Sequence, residues 1–497
     1  MSLPKANPTR SFWLNHNPLE SYRTTKELPT NADVVIVGLG LTGTGALFNL
    51  SRKHPQLNIL ALEARDPVSG ATGRNGGHLT PFSFRGFRQD SEIMGEKPAY
   101  LKRLLERHNA DHLVGIINEN SIACDLQEGT GNLQCCDAQE FADAKLDLAA
   151  FEVADKRFGG NLLEDVEIWE KETVFEKLGD NSAVGALLIP AHQLWPAKLC
   201  WGLQQEFIKN KNVNIQSRTP ATRIYQQKGS SKWQVETPRG SVVCDVVLLA
   251  SNAWAGHLLP SNLQKALVPT RAQVIAFQSE QDHKVNVKEW TRGFTLHHGS
   301  EYMIRRGKDG VYVIGGGRED IPGQQMYESD DSVLNNRVGA ALRSVMKSIF
   351  PELLPESEDR IQEWTGIMCY TLDGKPIVGQ VPGAPGQFVA IGYNGHGMPF
   401  AFQSGQYIAE QAVNYLQRNA SSVADEKIRE PTLVQEAWQL FDPSRFDGAL
   451  AEKLDGGVSL PSTSRSMRLA NTLRHNRHWL LLGLLFLIFG QYALCCK

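Results

Sequence analysis

The residues best suited to chemistry are three glycines with the spacing GxGxxG: Gly38, Gly40 and Gly43. The apolar run 33–37 before them is short enough for a buried parallel strand, and the residues after them continue as a helix. The first glycine allows a tight turn, the second lets backbone approach a pyrophosphate, and the third lets helix pack on strand. Phosphate oxygens are expected at the start of this helix, beside Thr42.

A carboxylate after the next apolar strand supports the same interpretation. Glu63 ends that strand at the position where an acid binds the adenosine ribose of a dinucleotide, and Ala64 and Arg65 are predicted to share the contact. A lone GxGxxG is weak evidence, and its alternative is an ordinary glycine-rich turn. Both strands and the acid make the motif specific, so the chain is predicted to bind a dinucleotide.

The segment 70–77, GATGRNGG, favours FAD over NAD. Its glycines expose backbone that can pack against a flat ring and a charged pyrophosphate. The alternative is a solvent-exposed loop. FAD is the predicted cofactor, with contacts from Thr72, Arg74, Asn75, Gly76 and Gly77.

This opening resembles the FAD-dependent oxidoreductases of the D-amino-acid oxidase, or glycine oxidase-like, family, nearest to its gamma-glutamylputrescine oxidase-like branch and fungal relatives. Similar segments follow in order over about residues 10–420, among them HQLWPAKLCWGL, VVLLASNAWAGHLLP, EYMIRRGKDGVYVIGGG, WTGIMCYTLDGKPIVG and IGYNGHGM. The resemblance implies an α/β fold, in which a Rossmann-type FAD-binding domain is interleaved with a mixed-sheet α+β substrate domain.

The resemblance also implies a reaction. A C–N bond of an amine or amino-acid-like substrate is oxidised by hydride transfer to flavin N5, the resulting imine hydrolyses, and O2 reoxidises the flavin to give H2O2. Two alternatives stay open. One is a membrane-tethered flavin dehydrogenase that passes electrons to a quinone or carrier, and the other is a non-catalytic flavoprotein scaffold.

A second strand, turn and helix is predicted at 388–416. In the resembled family the amino end of this helix points at the flavin N1–C2=O edge, where its dipole favours negative charge. Cofactor contacts are therefore implied for four residues of the turn: Gly395, His396, Gly397 and Met398. Asn252, after the buried strand 245–251, is also predicted to lie near the cofactor. For His396 the alternative is a side chain that caps its own turn.

Substrate contacts are predicted from the hairpin 301–317 and the loop 364–374. Alternation puts Tyr302, Ile304 and Arg306 on one face of the first strand, opposite Met303 and Arg305. Tyr302 resembles an active-site tyrosine of the family, and its alternative is a ring packed on the sheet. The predicted catalytic residues are Tyr302, Arg306, Tyr370 and His396.

Three departures from the family pattern bear on the substrate and the flavin. Where D-amino-acid oxidase carries its carboxylate-binding arginine, residues 367–371 read IMCYT, so Arg305 or Arg306 is the predicted substitute. This makes a simple D-amino acid a poor fit, and a polyamine or N-substituted amine fits at least as well. Residues 311–314 lack the oxygen-activating lysine of sarcosine oxidase-like relatives. Cys369 is predicted to be an ordinary small residue, with a thioether to the flavin as the alternative.

Composition excludes some partners. The chain has 497 residues, a net charge of −3 and eight cysteines. Without a basic field, nucleic acid is not an expected partner. The cysteines follow no disulfide framework and include no CxxC, so a reducing compartment is predicted and a metal site is not.

The carboxyl terminus is strongly apolar. Residues 479–494 read WLLLGLLFLIFGQYAL, and extending the helix to Cys496 gives about 27 Å, enough for a thin bilayer. This span predicts a single-pass anchor in an intracellular membrane. The basic flank 474–478 predicts that the catalytic body faces the cytosol. The alternative is a helix docked on the protein or lying along the membrane surface.

The elements that position these residues divide the chain into parts. Helices are predicted at 96–120, 142–156, 331–349 and from Pro196. Strands are predicted at 212–224, 233–237, 241–243, 245–251, 270–277 and 302–315. The predicted parts are an N-terminal arm (1–30), a discontinuous FAD-binding domain (31–95, 190–260, 360–420), a substrate domain (96–189, 261–359), a linker (421–478) and a transmembrane tail (479–496).

Overall fold

The computed structural model describes residues 3–447, apart from 179–182, 283–290, 297–298, 320, 350, 352 and 421–431. The strands of these residues are β1 (Asn31–Val37), β2 (Ile59–Leu62), β3 (His78–Leu79), β4 (Asn132–Cys136), β5 (Glu167–Glu170), β6 (Gly185–Ile189), β7 (His192–Gln193), β8 (Val213–Gln216), β9 (Arg223–Gln226), β10 (Trp233–Thr237), β11 (Gly240–Leu249), β12 (Leu267–Gln278), β13 (Gly293–Leu296), β14 (Glu301–Arg305), β15 (Val311–Gly315), β16 (Gln362–Thr371), β17 (Ile377–Gln380) and β18 (Gln387–Ile391). The helices are α1 (Leu41–Lys53), α2 (Phe87–Met94), α3 (Glu96–Glu119), α4 (Ala138–Phe158), α5 (Lys171–Leu178), α6 (Pro196–Phe207), α7 (Ser261–Ala266), α8 (Asn336–Ile349), α9 (Gly397–Ala420) and α10 (Leu433–Gln439).

The first sheet carries the glycine motif. Its strands run in the order β17-β18-β11-β1-β2-β8, with the hairpin β9-β10 attached to β11. The strands β18, β11, β1, β2 and β8 pair in parallel, and α1 packs against α9. Parallel strands covered by helices are buried, which explains the uninterrupted apolar runs at 33–37 and 245–251.

The second sheet provides a continuous surface for a site. Its order is β16-β12-β15-β14-β13-β4-β6-β5, with β4 and β13 parallel and the other pairs antiparallel where register is defined. Register places Gln134, Thr295, Tyr302 and Gly315 in one row across four neighbouring strands. Residues paired in register project from the same face of a sheet, so this row forms one surface.

The strand β16 joins the second sheet, whereas the sequence division assigned all of 360–420 to the FAD-binding domain. It pairs with β12 along its whole length, from Gln362 to Thr371. Strands β17 and β18 belong to the first sheet, so the chain crosses between the sheets after Thr371. Pairing partners distant in sequence decide this membership, and hydrophobic pattern alone does not reveal them.

Several predicted helices are confirmed. The helices α3, α4 and α6 lie where patterns at 96–120, 142–156 and Pro196 predict them. The helix predicted at 331–349 begins only at Asn336. The Asn335 side chain caps it there, accepting hydrogen bonds from the N–H groups of Arg337 (3.0 Å) and Val338 (3.4 Å), the second and third residues of the helix. The prediction was wrong at this end.

The strand predictions need two corrections. Residues 241–243 and 245–251 were predicted as separate strands, but 240–249 form the single strand β11. It pairs with β10 at its first half and with β1 along the chain, so no break is needed. The segment 212–224 contains all of β8 and only the first two residues of β9, and these strands lie at different places in the first sheet.

Residues 432–447 are folded, although the sequence predicted a linker across 421–478. A capping box between Thr432 and Gln435 starts α10. Trp438, Phe441 and Phe446 are buried, and Trp438 stacks on Tyr407 of α9 with ring centroids 4.8 Å apart. Burial of three aromatic rings stabilises this segment on the protein body, which explains why the linker prediction was wrong here.

The predicted transmembrane tail, 479–496, lies outside the described residues. Within the described part of the chain, no helix combines the length and the apolar character that a bilayer span requires. The tail stays a prediction.

Candidate active site

The glycine turn between β1 and α1 is built as its spacing predicts. Gly38 has a φ of +98°, and a Cβ there would lie 2.8 Å from the carbonyl oxygen of Ala250. A Cβ at Gly43 would overlap the carbonyl oxygen of Gly38. The Leu41 N–H, at the start of α1, donates to the Thr72 hydroxyl (2.9 Å). The turn therefore requires both glycines and meets the glycine-rich loop at Thr72.

Glu63 follows β2 and ties the same turn together. Its carboxylate accepts hydrogen bonds from the N–H groups of Leu39 and Arg65, both at 2.9 Å. Burial raises the pKa of Glu63, while these hydrogen bonds act against the shift. The acid lies beside the turn, as the ribose-binding prediction requires.

Arg65 and Arg74 hold backbone and a buried acid. Arg65 Nη1 lies 2.9 Å from Asp331 Oδ2, and Arg74 donates to carbonyl oxygens of Ser69 and Thr365, both at 2.8 Å. Both side chains are buried. Their charges face Asp331, so their contribution to a cofactor is to fix the loop and not to pair directly with phosphate.

The glycine-rich loop is fastened from both sides. Asn75 donates to the Thr72 carbonyl (3.0 Å) and accepts from the Gly77 N–H (2.8 Å). The predicted N-terminal arm packs on the loop, where the Ser11 hydroxyl donates to the Gly73 carbonyl (2.7 Å) and the Trp13 indole N–H donates to the Asn75 carbonyl (2.5 Å). Asn75 Nδ2 also lies 3.5 Å from the Met398 sulfur, which connects the loop to α9.

The surroundings of the turn fit a dinucleotide. Asn252, after β11, accepts a hydrogen bond from the Gly392 N–H (3.0 Å), so the ends of β11 and β18 meet beside Gly38. The Ser251 hydroxyl and the Trp254 indole nitrogen are buried there without a hydrogen-bond partner among the described residues. Unpaired buried polar groups beside a glycine cradle match a polar ligand with adenosine and phosphate groups. Thr42 points elsewhere, sharing a hydrogen bond with the Tyr393 hydroxyl (2.8 Å).

Two predicted tyrosines each pack on a glycine that was predicted to contact the cofactor. The Tyr302 ring packs so closely on Gly76 that a Cβ there would overlap it. The Tyr370 hydroxyl lies 3.2 Å from where a Cβ on Gly395 would be. Burial raises the pKa of Tyr302 to about 12, so its hydroxyl stays a hydrogen-bond donor. Tyr370 also acts electrostatically on the pKa of Tyr302, which places residues 76, 302, 370 and 395, predicted from four separate segments, around one site.

Sequence reasoning missed Arg318, the arginine of this site. Its Nη2 donates to the Tyr370 hydroxyl (2.9 Å), and its guanidinium carbon lies 5.4 Å from the centre of the Tyr370 ring. Glu319 is its nearest carboxylate, with Oε1 3.7 Å from Nε. The available signal was an arginine directly after Gly315-Gly316-Gly317, where small residues leave room beside the hairpin.

The two arginines predicted for this role are engaged elsewhere. Arg306 lies 2.9 Å from Asp309 and 3.1 Å from Asp125, with its guanidinium 4.6 Å from the Trp195 ring. Arg305 forms an ion pair with Asp282 at 2.5 Å. These acids hold Arg305 and Arg306, whereas Arg318 donates to the Tyr370 hydroxyl, so Arg318 is the arginine that contacts a predicted tyrosine of the site.

His396 follows Gly395 in the turn that Tyr370 borders. Its ring stacks on Phe82 with centroids 3.8 Å apart. Burial, reinforced by the charges of Arg85 and Lys102, lowers the pKa of His396 well below its usual value. The imidazole is therefore neutral at pH 7 and forms an apolar wall with Phe82.

Cys369 lies on the opposite face of β16 from Tyr370. Its side chain belongs to an apolar cluster with Leu267, Ile377 and Val389, whereas Met368 faces Gly395. Burial raises the pKa of the Cys369 thiol to about 12, which disfavours a nucleophilic thiolate.

We therefore predict that the flavin is not covalently bound. Acid precipitation should give a white pellet and a yellow supernatant, since the thiol is buried on the wrong face of its strand. The Cys369→Ser variant should behave identically. A yellow pellet from the wild type that turns white in Cys369→Ser would contradict the prediction.

Comparison with known proteins identifies the family. Residues 33–411 match the family model described as FAD dependent oxidoreductase, DAO. The chain belongs to this family, as the resemblance predicted. It is an FAD-dependent oxidoreductase of the amine and amino-acid oxidase type, and its cofactor is FAD.

Curated relatives are similar over most of their length. The probable oxidoreductase OrdL of Haemophilus influenzae is 24% identical over 384 residues, which cover 76% of this chain and 82% of the relative. Gamma-glutamylputrescine oxidoreductase of Escherichia coli is 24% identical over 381 residues, covering 76% and 83%. Glycine oxidase of Pseudomonas putida is 24% identical over 381 residues, covering 76% and 93%.

Solved structures share the fold. Glycine oxidase from Geobacillus kaustophilus superposes with a TM-score of 0.59 at 19% identity, covering 78% of this chain and 95% of that one. L-amino acid deaminase from Proteus myxofaciens, in complex with anthranilate, superposes with a TM-score of 0.61 at 16% identity, covering 90% and 98%. The predicted α/β architecture with two interleaved sheets is confirmed by these matches.

Proposed function

We propose that this protein oxidises a C–N bond of an amine that carries a carboxylate, with O2 as the electron acceptor. The observation that carries the proposal is Arg318, which donates to the Tyr370 hydroxyl and whose charge lowers the pKa of Tyr302 against the effect of burial. A guanidinium beside two phenol hydroxyls suits a carboxylate, which accepts hydrogen bonds from all three groups.

Each residue of the site then has a separate task. Arg318 binds the carboxylate, and the Tyr302 hydroxyl, a donor at neutral pH, orients it. Phe82 and His396 form a wall that excludes water from the reacting carbon. When bound, FAD would supply the hydride acceptor, held by the glycine turn at 38–43 and the loop 70–77, and the oxidised product would be an imine that water hydrolyses. The amine reacts as the free base, so no protein nucleophile is required.

An anaerobic screen of amines tests the proposal. Carboxylate-bearing primary and secondary amines should bleach the flavin absorbance near 450 nm, while hydroxy acids and alcohols should not. Matching amines without a carboxylate should reduce the flavin more slowly, because they forgo the contact with Arg318. Reduction by alcohols alone would overturn the reaction class, and a flavin that no substrate bleaches would favour a non-catalytic scaffold.

The acceptor has a second candidate. The strand β15 has the sequence VYVIG and carries no lysine, although relatives of the sarcosine oxidase type place an oxygen-activating lysine there. This absence favours a dehydrogenase that passes electrons to a quinone or carrier. One mole of H2O2 per mole of substrate would support the oxidase, and slow reoxidation in air with rapid reoxidation by a soluble quinone would support the dehydrogenase.

The apolar tail is proposed to anchor the catalytic body to an intracellular membrane from the cytosolic side. Full-length protein should pellet with membranes and resist carbonate extraction, because about 1.5–3 kcal/mol is gained for each large side chain transferred to lipid. A chain ending at Asn471 retains every described residue and should be soluble and yellow. Carbonate release of the full-length protein, or protection of its body from protease added to intact organelles, would refute the anchoring or the orientation.

A further inference from the structure

Arg85 lies in the turn before α2, outside the predicted site residues, and its guanidinium is fixed in place. Nε donates to the Phe82 carbonyl (3.2 Å) and Nη1 to Gln134 Oε1 (3.0 Å). Its own carbonyl accepts from Arg103 Nη2 (2.6 Å). The remaining nitrogen, Nη2, donates no hydrogen bond within the described residues.

The charge of Arg85 also lacks a carboxylate at contact distance. Its neighbours Lys102 and Arg103 share Asp90, at 3.2 and 2.9 Å. Glu106 accepts from the Phe82 N–H (2.6 Å) and is buried. No ion pair at contact distance links Arg85 to any acid of the described chain. The charge of Glu106 acts on it from further away and partly offsets the effect of burial on the pKa of Arg85, so the partly buried guanidinium keeps one free donor edge.

The second sheet relates Arg85 to the site. Gln134, which holds Arg85, shares a register row with Tyr302, and β13 lies between their strands. Two strand spacings separate them by about 10 Å on the same face of the sheet. From the other direction, the Arg85 guanidinium lies 5.2 Å from the Phe82 ring, which stacks on His396 of the turn that borders Tyr370. Arg318 thus contacts Tyr370 and Arg85 lies against Phe82, and both rings pack on the turn 394–397.

We infer that Arg85 is a specificity residue that binds a second anionic group of the substrate. The substrate would be an amine with one carboxylate at Arg318 and another several bonds away at Arg85. This inference rests on the proposed function for the identity of the first subsite. A bound second carboxylate would accept from Nη2 and add a counter-charge at contact distance, while Gln134 keeps the guanidinium oriented.

Inert ligands test this without turnover. Unbranched α,ω-dicarboxylates of three to eight carbons and the monocarboxylates of equal length would be titrated into the FAD-loaded protein, with the flavin difference spectrum as readout. A dicarboxylate of intermediate or greater length should bind about tenfold or more tightly than its monocarboxylate, as expected for one added charged hydrogen bond. In Arg85→Gln the dicarboxylate and the monocarboxylate of equal length should bind with affinities within about twofold of each other, because the hydrogen bond to the Arg85 guanidinium is lost.

Arg88→Gln is the matched control, because Arg88 is exposed on α2 three residues further along. It should keep the preference for dicarboxylates. If the wild type binds dicarboxylates and monocarboxylates equally well, the inference is overturned without any variant. A folded, yellow Arg85→Gln that still prefers dicarboxylates would overturn it as well. Failure of the proposed function can be told apart from failure of this inference. It would appear as a flavin that amines do not reduce, independently of how tightly the carboxylates bind.

Discussion

Gly43→Ala is expected to give a protein that no longer retains FAD. The added methyl group would overlap the carbonyl oxygen of Gly38, which is backbone and cannot rotate away. Either the turn must open or α1 must move off β1, and both changes disrupt the N–H groups that face the pyrophosphate. Overpacking of this kind costs about 1–3 kcal/mol or more, so flavin occupancy after gel filtration should fall by about tenfold or more.

Two further variants separate loss of flavin from loss of fold. Gly115→Ala, near the carboxyl end of α3, introduces a methyl group with no atom within 4 Å beyond the helix's own backbone and should stay fully yellow. At Gly40 an added Cβ would lie 3.0 Å from the Thr72 hydroxyl, a side chain that can move. Because Thr72 can give way, Gly40→Val should keep its circular dichroism spectrum. It should purify colourless, because the valine side chain would occupy the space predicted for the pyrophosphate. Full flavin occupancy in Gly43→Ala and Gly40→Val would show that the phosphate site lies elsewhere.

Arg318→Gln is expected to slow anaerobic flavin reduction by carboxylate-bearing amines about tenfold to a hundredfold. The reason is the loss of a charged hydrogen bond to the carboxylate, which contributes about 1.5–3 kcal/mol. Reduction by amines without a carboxylate should change little, because they do not use this contact. Rates would be measured by stopped flow at saturating and subsaturating substrate.

The oxidised spectrum of Arg318→Gln should match the wild type, since no cofactor contact is assigned to this side chain. Arg337 is exposed on α8, so Arg337→Gln provides a control for the loss of one positive charge and should react normally. Tyr302→Phe should give a smaller loss than Arg318→Gln, because a neutral hydrogen bond contributes less than a charged one. Equal slowing of both classes of amine in Arg318→Gln would assign Arg318 a structural role.

Local sequence predicted the nucleotide half of the fold well. The turn from Gly38 to Gly43 and the strands beside it depend on contacts between residues close in the chain, so glycine spacing and apolar runs suffice to predict them. The same holds for the strand, turn and helix around Gly395. Glu63 was found because its distance from the motif follows from the length of one helix and one strand.

The charged side of the site could not be predicted in the same way. Alternation correctly separated Tyr302 from Arg305, but it could not show that Asp125, Asp309 and Asp282 neutralise Arg305 and Arg306. Asp309 follows Arg306 in the same hairpin, but Asp125 and Asp282 come from elsewhere in the chain, and an arginine's role depends on which carboxylates the fold brings to it.

By itself, then, the sequence determined the family, the cofactor and the backbone cradle that receives it, because these reside in short motifs whose geometry is local. Only the tertiary structure decided which arginines face the tyrosines. It placed Arg318 beside Tyr370, and it placed Arg85 on the Tyr302 face of the sheet through Gln134. The physical reason is that strand register and ion pairing are settled between segments far apart in the chain, after local patterns have fixed only the elements.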